Sequence, residues 1–240
     1  MRPKLWVLLI TLLCGLWKSA QAQTAYGPGG LFVHPTAFVP ARGTTDLNVS
    51  YFSQQLPPQR ETEWLPVSLS YAVTDRAQLS ALYVHRRAGA HQGDSGGLFG
   101  KYQIAPDTAR SPAFALAGSF LSGDVKLSSL SGVLSHTFRD SGRPVLSLHL
   151  GGQWARRADI AHPQDSVGGF IGAEAPLGRK ISLVGEWGTR FRFDPSHTSA
   201  LGLMWNAGHG VRIGLGYVNV GRSRDNRFLV GVGYRLGGNQ

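Results

Sequence analysis

The sequence predicts an all-β chain closed into an antiparallel up-and-down transmembrane β-barrel of about twelve strands, and three observations carry that expectation. From Thr45 onward, apolar and polar residues alternate with period two in segment after segment, the pattern of strands with two unlike faces. Gly, Pro, Asp, Asn and Ser punctuate between the segments, and none of them keeps a helical period. The segments recur at a spacing that accommodates tilted membrane strands of about 9–11 residues before each turn, and their number is even, as in single-chain bacterial barrels.

Taken in order, Met1 to Lys4 is a short basic start, Leu5 to Trp17 an apolar run, and Ala20-Gln21-Ala22 a small-residue cleavage site. Residues 1–22 therefore read as a signal peptide that is removed on export. Residues 23–42, rich in Gly and Pro, are expected either in the periplasm or folded into the lumen as a plug. Residues 43–240 form the barrel. The predicted strands are Thr45–Phe52, Leu65–Val73, Ala77–His85, Gly97–Ile104, Ala113–Leu121, Lys126–Phe138, Val145–Trp154, Val167–Ala175, Lys180–Phe193, Thr198–Asn206, Val211–Val220 and Phe228–Leu236.

The two faces of these strands differ in kind. In the ninth, Ile181, Leu183, Trp187 and Phe191 share one side, while Ser182, Glu186, Arg190 and Arg192 share the other. The twelfth sets Phe228, Val230, Val232, Tyr234 and Leu236 against Arg227, Gly231, Gly233 and Arg235. With both termini at the periplasmic side, Tyr51, Trp154, Phe191 and Tyr217 fall near the outer strand ends. Tyr71, Tyr102, Phe138, Trp205 and Tyr234 fall near the inner ends, which makes two aromatic girdles. The long connections, Ser53 to Trp64 and Arg86 to Gly96 among them, are expected outside. A mean hydropathy of −0.10 is compatible with this, because only alternate residues face lipid.

Charge and cysteine usage narrow the function. The chain carries 24 Lys+Arg against 14 Asp+Glu, a net +10, which points to an anionic partner. The only cysteine, Cys14, lies in the signal, so the exported chain can form neither a disulfide nor a thiolate metal site. No metal or cofactor is expected, and export argues against a nucleic-acid partner. The expected partners are outer-membrane lipid and lipopolysaccharide, with an anionic solute or polysaccharide as cargo.

Alternation assigns Asp46, Lys101, His149, Glu186, Arg190, Arg192, Arg212, Arg227 and Arg235 to the lumen. If these cations are unpaired they form a basic constriction that favours anions; if they pair with carboxylates they fill the interior. Arg60, Arg86, Arg87, Arg156, Arg157, Arg222 and Arg224 form an expected outer basic rim able to hold lipid phosphates. A third pattern, His197-Thr198-Ser199, puts an imidazole and a hydroxyl on one strand face near the outer end.

On these features the chain resembles bacterial outer-membrane β-barrel proteins. Gly231 with Tyr234 and Leu236 is similar to the C-terminal insertion signal of such barrels. The run Gly30-Leu31-Phe32-Val33-His34-Pro35-Thr36-Ala37 resembles the opening of some exopolysaccharide-linked outer-membrane proteins. The resemblance to outer-membrane barrels implies a place in the outer membrane, and the polar, basic lumen set reads as a narrow porin-like channel or export-linked pore. The His197/Ser199 pair resembles that of outer-membrane phospholipases and lipid A deacylases, which implies an outer-leaflet lipid hydrolase as the alternative; a purely structural barrel is the third possibility.

Overall fold

The computed structural model describes residues 30–56, 60–158, 163–189, 199–218 and 227–237. Twelve strands follow in order: β1 (Thr45–Leu56), β2 (Arg60–Ala72), β3 (Ala77–Ala88), β4 (His91–Ala105), β5 (Ala113–Gly123), β6 (Leu127–Asp140), β7 (Arg143–Arg157), β8 (Gln164–Pro176), β9 (Ile181–Gly188), β10 (Ser199–Gly208), β11 (Val211–Val218) and β12 (Arg227–Leu236). Each pairs antiparallel with its sequence neighbours, and β1 pairs with β12, from Thr45↔Leu236 to Phe52↔Leu229, which closes the barrel. Closure leaves no sheet edge, the condition for strands to cross a lipid bilayer.

The end at which Thr45 enters and Leu236 leaves is called the inner end below. Leu98, Phe120, Leu130, Leu150 and Val167 lie exposed on the outside wall. The residues between them, such as Ser131, Val133, Ser135, His149 and Phe170, are buried inside. Tyr51, Trp154 and Tyr217 face outward near the outer ends, and Tyr71, Tyr102, Phe138, Trp205 and Tyr234 near the inner ends, as the alternation predicts. Phe191 lies outside the described residues.

Two of the inner turns are tight. Ser141 and Gly142 both have positive φ (49° and 79°), as do His209 and Gly210 (50° and 80°), the conformation of two-residue hairpin turns whose twist matches the flanking strands. On the outer side two connections expected as long loops are largely strand. β3 and β4 meet at a turn through Gly89 (φ 62°), and β1 and β2 are separated only by residues 57–59. Polar cross-strand pairs such as Glu63↔Arg87 and Arg87↔Gln92 continue these ladders, so the loss of apolar alternation there marks the edge of the lipid band and not the end of the strand. Pro66 has no N–H to donate, and the β1–β2 ladder skips Ser50 and Tyr51 opposite Pro66 and Leu65 before resuming at Phe52↔Trp64.

Candidate functional site

Residues 30–42 turn back from the inner end of β1 into the barrel. Leu31 N donates to His34 O at 2.8 Å, and Gly30 bridges Pro35, so Leu31 to His34 form a tight turn. At that turn Leu31 and Phe32 are 0% and 1% exposed. Phe32 sits over bare glycine backbone: a Cβ built at Gly202, Gly214 or Gly216 lies 2.8, 3.4 or 3.2 Å from the ring. Gly202 and Gly216 are direct partners across β10 and β11. Met204, Val184, Phe52, Ala200 and Leu229 complete the buried cluster. Burying one such aromatic contributes about 1.5–3 kcal/mol, so the segment has an apolar anchor that only these glycines make room for.

Polar groups on three strands hold its backbone. On β9, the Glu186 carboxylate accepts from Val33 N at 2.6 Å and His34 N at 3.0 Å, with His34 Nδ1 2.9 Å from Oε2. The His34 ring stacks on Phe170 of β8, centroids 4.4 Å apart. Lys101 Nζ on β4 donates to Thr36 O at 3.2 Å, and Gln103 Nε2, two residues on and so on the same face, donates to Ala37 O at 2.9 Å. On β6, Ser135 Oγ accepts from Ala37 N at 2.8 Å and lies 2.8 Å from Nδ1 of His149, its β7 partner. Phe38 meets His149 edge-on at 5.7 Å. A buried carboxylate with no donors is costly. Glu186 is satisfied by the segment itself.

The inward cations are engaged as well. Asp46 Oδ1 receives Arg212 at 2.9 Å and Arg235 Nε at 2.7 Å, while its Oδ2 receives Arg235 at 3.0 Å. The closure of β1 on β12 creates this cluster, because Asp46 and Arg235 are register partners. Lys101, His149, Glu186 and Arg212 are buried and Arg235 is partly so. Arg212 and Arg235 are thus paired with a carboxylate and do not form a bare basic constriction. Arg190 and Arg192 lie outside the described residues, and of Arg227 only the backbone is described.

At the outer mouth, Arg86 is not part of an outward rim: it faces inward, 5.8 Å above the Trp64 ring, with its Nε 2.7 Å from Asp124 Oδ2. His91 Nε2 lies 3.0 Å from Asp124 Oδ1. Burial pushes the Asp124 carboxyl up, but the His91 hydrogen bond and the Arg86 charge outweigh it, so its pKa falls below the ordinary carboxylate value. Arg87 faces outward, 3.8 Å from Glu63, and Arg156 is exposed beside the girdle residue Trp154. Arg157 is half-buried, as is Ser199 at the start of β10. His197, Arg222 and Arg224 lie outside the described residues, as does the side chain of Arg60.

No protein-family model and no curated protein matches the chain. Among solved structures it is similar to the KdgM porin in complex with disordered oligogalacturonate, at 14% identity and TM-score 0.60 over 80% of this chain and 99% of that one. It is also similar to the translocator domain of the autotransporter NalP from Neisseria meningitidis, at 14% identity and TM-score 0.51 over 97% and 95%. The outer membrane protein Omp33 of Acinetobacter baumannii aligns at 8% identity and TM-score 0.53 over 80% and 99%. The fold is that of an outer-membrane β-barrel. At these identities the likeness is one of fold, and the segment held by Glu186 has to be read from this chain alone.

The segment's side of the site was not foreseen from sequence: His34, Phe32, Thr36 and Ala37, with Gln103 and Ser135 opposite them. A signal existed in Leu31-Phe32-Val33, an apolar run inside a Gly/Pro-rich stretch, and in the inward glycines of β10 and β11.

Proposed function

We propose that the chain is a porin-like channel of the outer membrane, exported through a cleaved signal at residues 1–22, whose lumen is closed by residues 30–42 acting as a plug. The observation that carries this is the three-donor engagement of Glu186. A filler chosen only for bulk needs apolar contact. Here a buried carboxylate is matched to backbone N–H groups, so the wall is built to receive the segment. Polar contacts of this kind exchange with water more readily than a fused core, which suits a part that is held and released.

The likeness to a porin in complex with disordered oligogalacturonate supports an anionic saccharide as one cargo, and the Gly30–Ala37 resemblance supports an export-linked pore as a narrower form of the same function. Arg87 and Arg156, which face outward near the outer leaflet, are the rim residues placed for lipopolysaccharide phosphates. The packed apolar cluster around Phe32 favours a second reading, a purely structural barrel.

Planar-bilayer recording separates the two. The Phe32→Ala/His34→Ala variant should open far more often than wild type. Silence of both proteins, each shown to be folded by heat-modifiable gel migration, would leave the structural barrel.

A further inference from the structure

The segment engages the interior unevenly. Its described polar contacts fall on β4, β6 and β9, whereas the inward face of β1, β2 and β3 carries side-chain atoms with no hydrogen-bond partner among the described residues. Among them are Asn48 Oδ1, Ser70 Oγ, Gln78 Oε1 and Ser80 Oγ, with Thr62 Oγ1 and Trp64 Nε1 farther toward the outer end of β2. Asn48, Ser70, Gln78 and Ser80 are only 3%, 1%, 1% and 4% exposed, so bulk solvent does not satisfy them. Buried polar atoms in folded proteins almost always have a partner, and an orphaned group calls for an occupant.

Register makes these atoms one strip. Ser70 pairs directly with Ser80 across β2 and β3, Asp46 with Ser70, and Gln78 with Lys101. Asn48 Nδ2 is taken by Ser68 Oγ at 3.3 Å, which leaves its carbonyl oxygen turned to the strip. From Thr62 to Ser70 the strip follows β2 along the wall, at about 3.3 Å per residue.

We propose that this strip is a binding track for small neutral polyhydroxylated solutes, with water as its occupant while the plug is seated. The proposal rests on the porin-like function above and adds a neutral solute class to the anionic saccharide named there. The amide oxygens of Asn48 and Gln78 only accept, and serine hydroxyls accept or donate, so a ligand must bring O–H donors. A simple inorganic anion brings acceptors alone, and the carboxylate of a sugar acid adds only acceptors to a strip whose amide oxygens already accept. A cation meets Lys101 beside Gln78, with Arg212 and Arg235 at the foot of the strip around Asp46. A neutral polyol or sugar meets neither obstacle.

The test is proteoliposome swelling with erythritol and with gluconate, alongside KCl conductance, using the full chain carrying Glu186→Gln to unseat the plug. Adding Ser70→Ala/Ser80→Ala should slow erythritol entry about fivefold, the worth of roughly one hydrogen bond, and leave KCl conductance within about twofold. Gln78→Met, which keeps side-chain length, is the second variant and should act in the same direction if the serine pair fails to fold. Unchanged erythritol entry in folded variants, or gluconate entry slowed as much as erythritol entry by the serine changes, overturns the proposal while the channel stands. Absence of both swelling and conductance overturns the channel function beneath it.

Discussion

His34 Nδ1 lies 2.9 Å from Glu186 Oε2, although 152 residues separate the two in the chain. The contact ties a turn that precedes the first strand to the inner face of the ninth, and with Val33 N and His34 N on the same carboxylate it decides where the segment rests.

Glu186→Gln keeps the shape but replaces one acceptor oxygen by an amide that faces donors. Each hydrogen bond to a charged group is worth about 1.5–3 kcal/mol. Amide exchange at Val33 and His34, followed by mass spectrometry in detergent, should accelerate more than tenfold, with the β6–β7 hairpin unaffected.

Asp46→Asn leaves two guanidinium groups without their shared charge. Removing one partner of a buried ionic cluster costs about 3–5 kcal/mol, so the variant should unfold at clearly lower urea than wild type. Combining it with Arg235→Gln should recover part of the loss, since the two changes act on one cluster.

Phe32→Ala empties the space over Gly202, Gly214 and Gly216. Loss of a buried phenylalanine side chain costs about 3–5 kcal/mol, but here the cost falls on seating the segment and not on strand pairing. Limited proteolysis should cut within residues 30–42, while the barrel keeps its heat-modifiable migration.

Acid should loosen the outer mouth. The pKa of Asp124 is lowered in the folded protein, so its contribution to stability is present above the unfolded value and is lost as pH falls through the folded one. Exchange protection of the β5–β6 turn should therefore drop below about pH 4. Asp124→Asn should lose that dependence and show the acid-like level at neutral pH.

Much of the barrel is legible in the sequence because period-two alternation is local: Phe228, Val230, Val232 and Tyr234 declare their face without reference to any other strand. Strand ends were less legible, since Glu63 and Arg87 continue a ladder on polar pairing alone. The inward arginines Arg212 and Arg235 were placed on the correct face, but their shared partner Asp46 comes from the opposite end of the chain through barrel closure. A plug was one of two readings open for residues 23–42, but the contacts of residues 30–42 were the hardest to see. Gly202, Gly214 and Gly216 weaken a strand when read singly, and they become the floor under Phe32 only once register sets two of them side by side. Glu186 read as a lumen charge, with nothing nearby in sequence to name its donors.

If residues 30–42 close the lumen, a reversible tether between the segment and the wall should control conductance. Ala37 N and Ser135 Oγ are 2.8 Å apart, and the chain's only cysteine, Cys14, falls in the expected signal, so Ala37→Cys/Ser135→Cys can be oxidised without competing thiols. Single-channel recording of this pair in the Glu186→Gln chain should show frequent openings when reduced, none when oxidised, and recovery on adding reductant. Equal conductance in the oxidised and reduced states, with the cross-link verified, would contradict closure by residues 30–42.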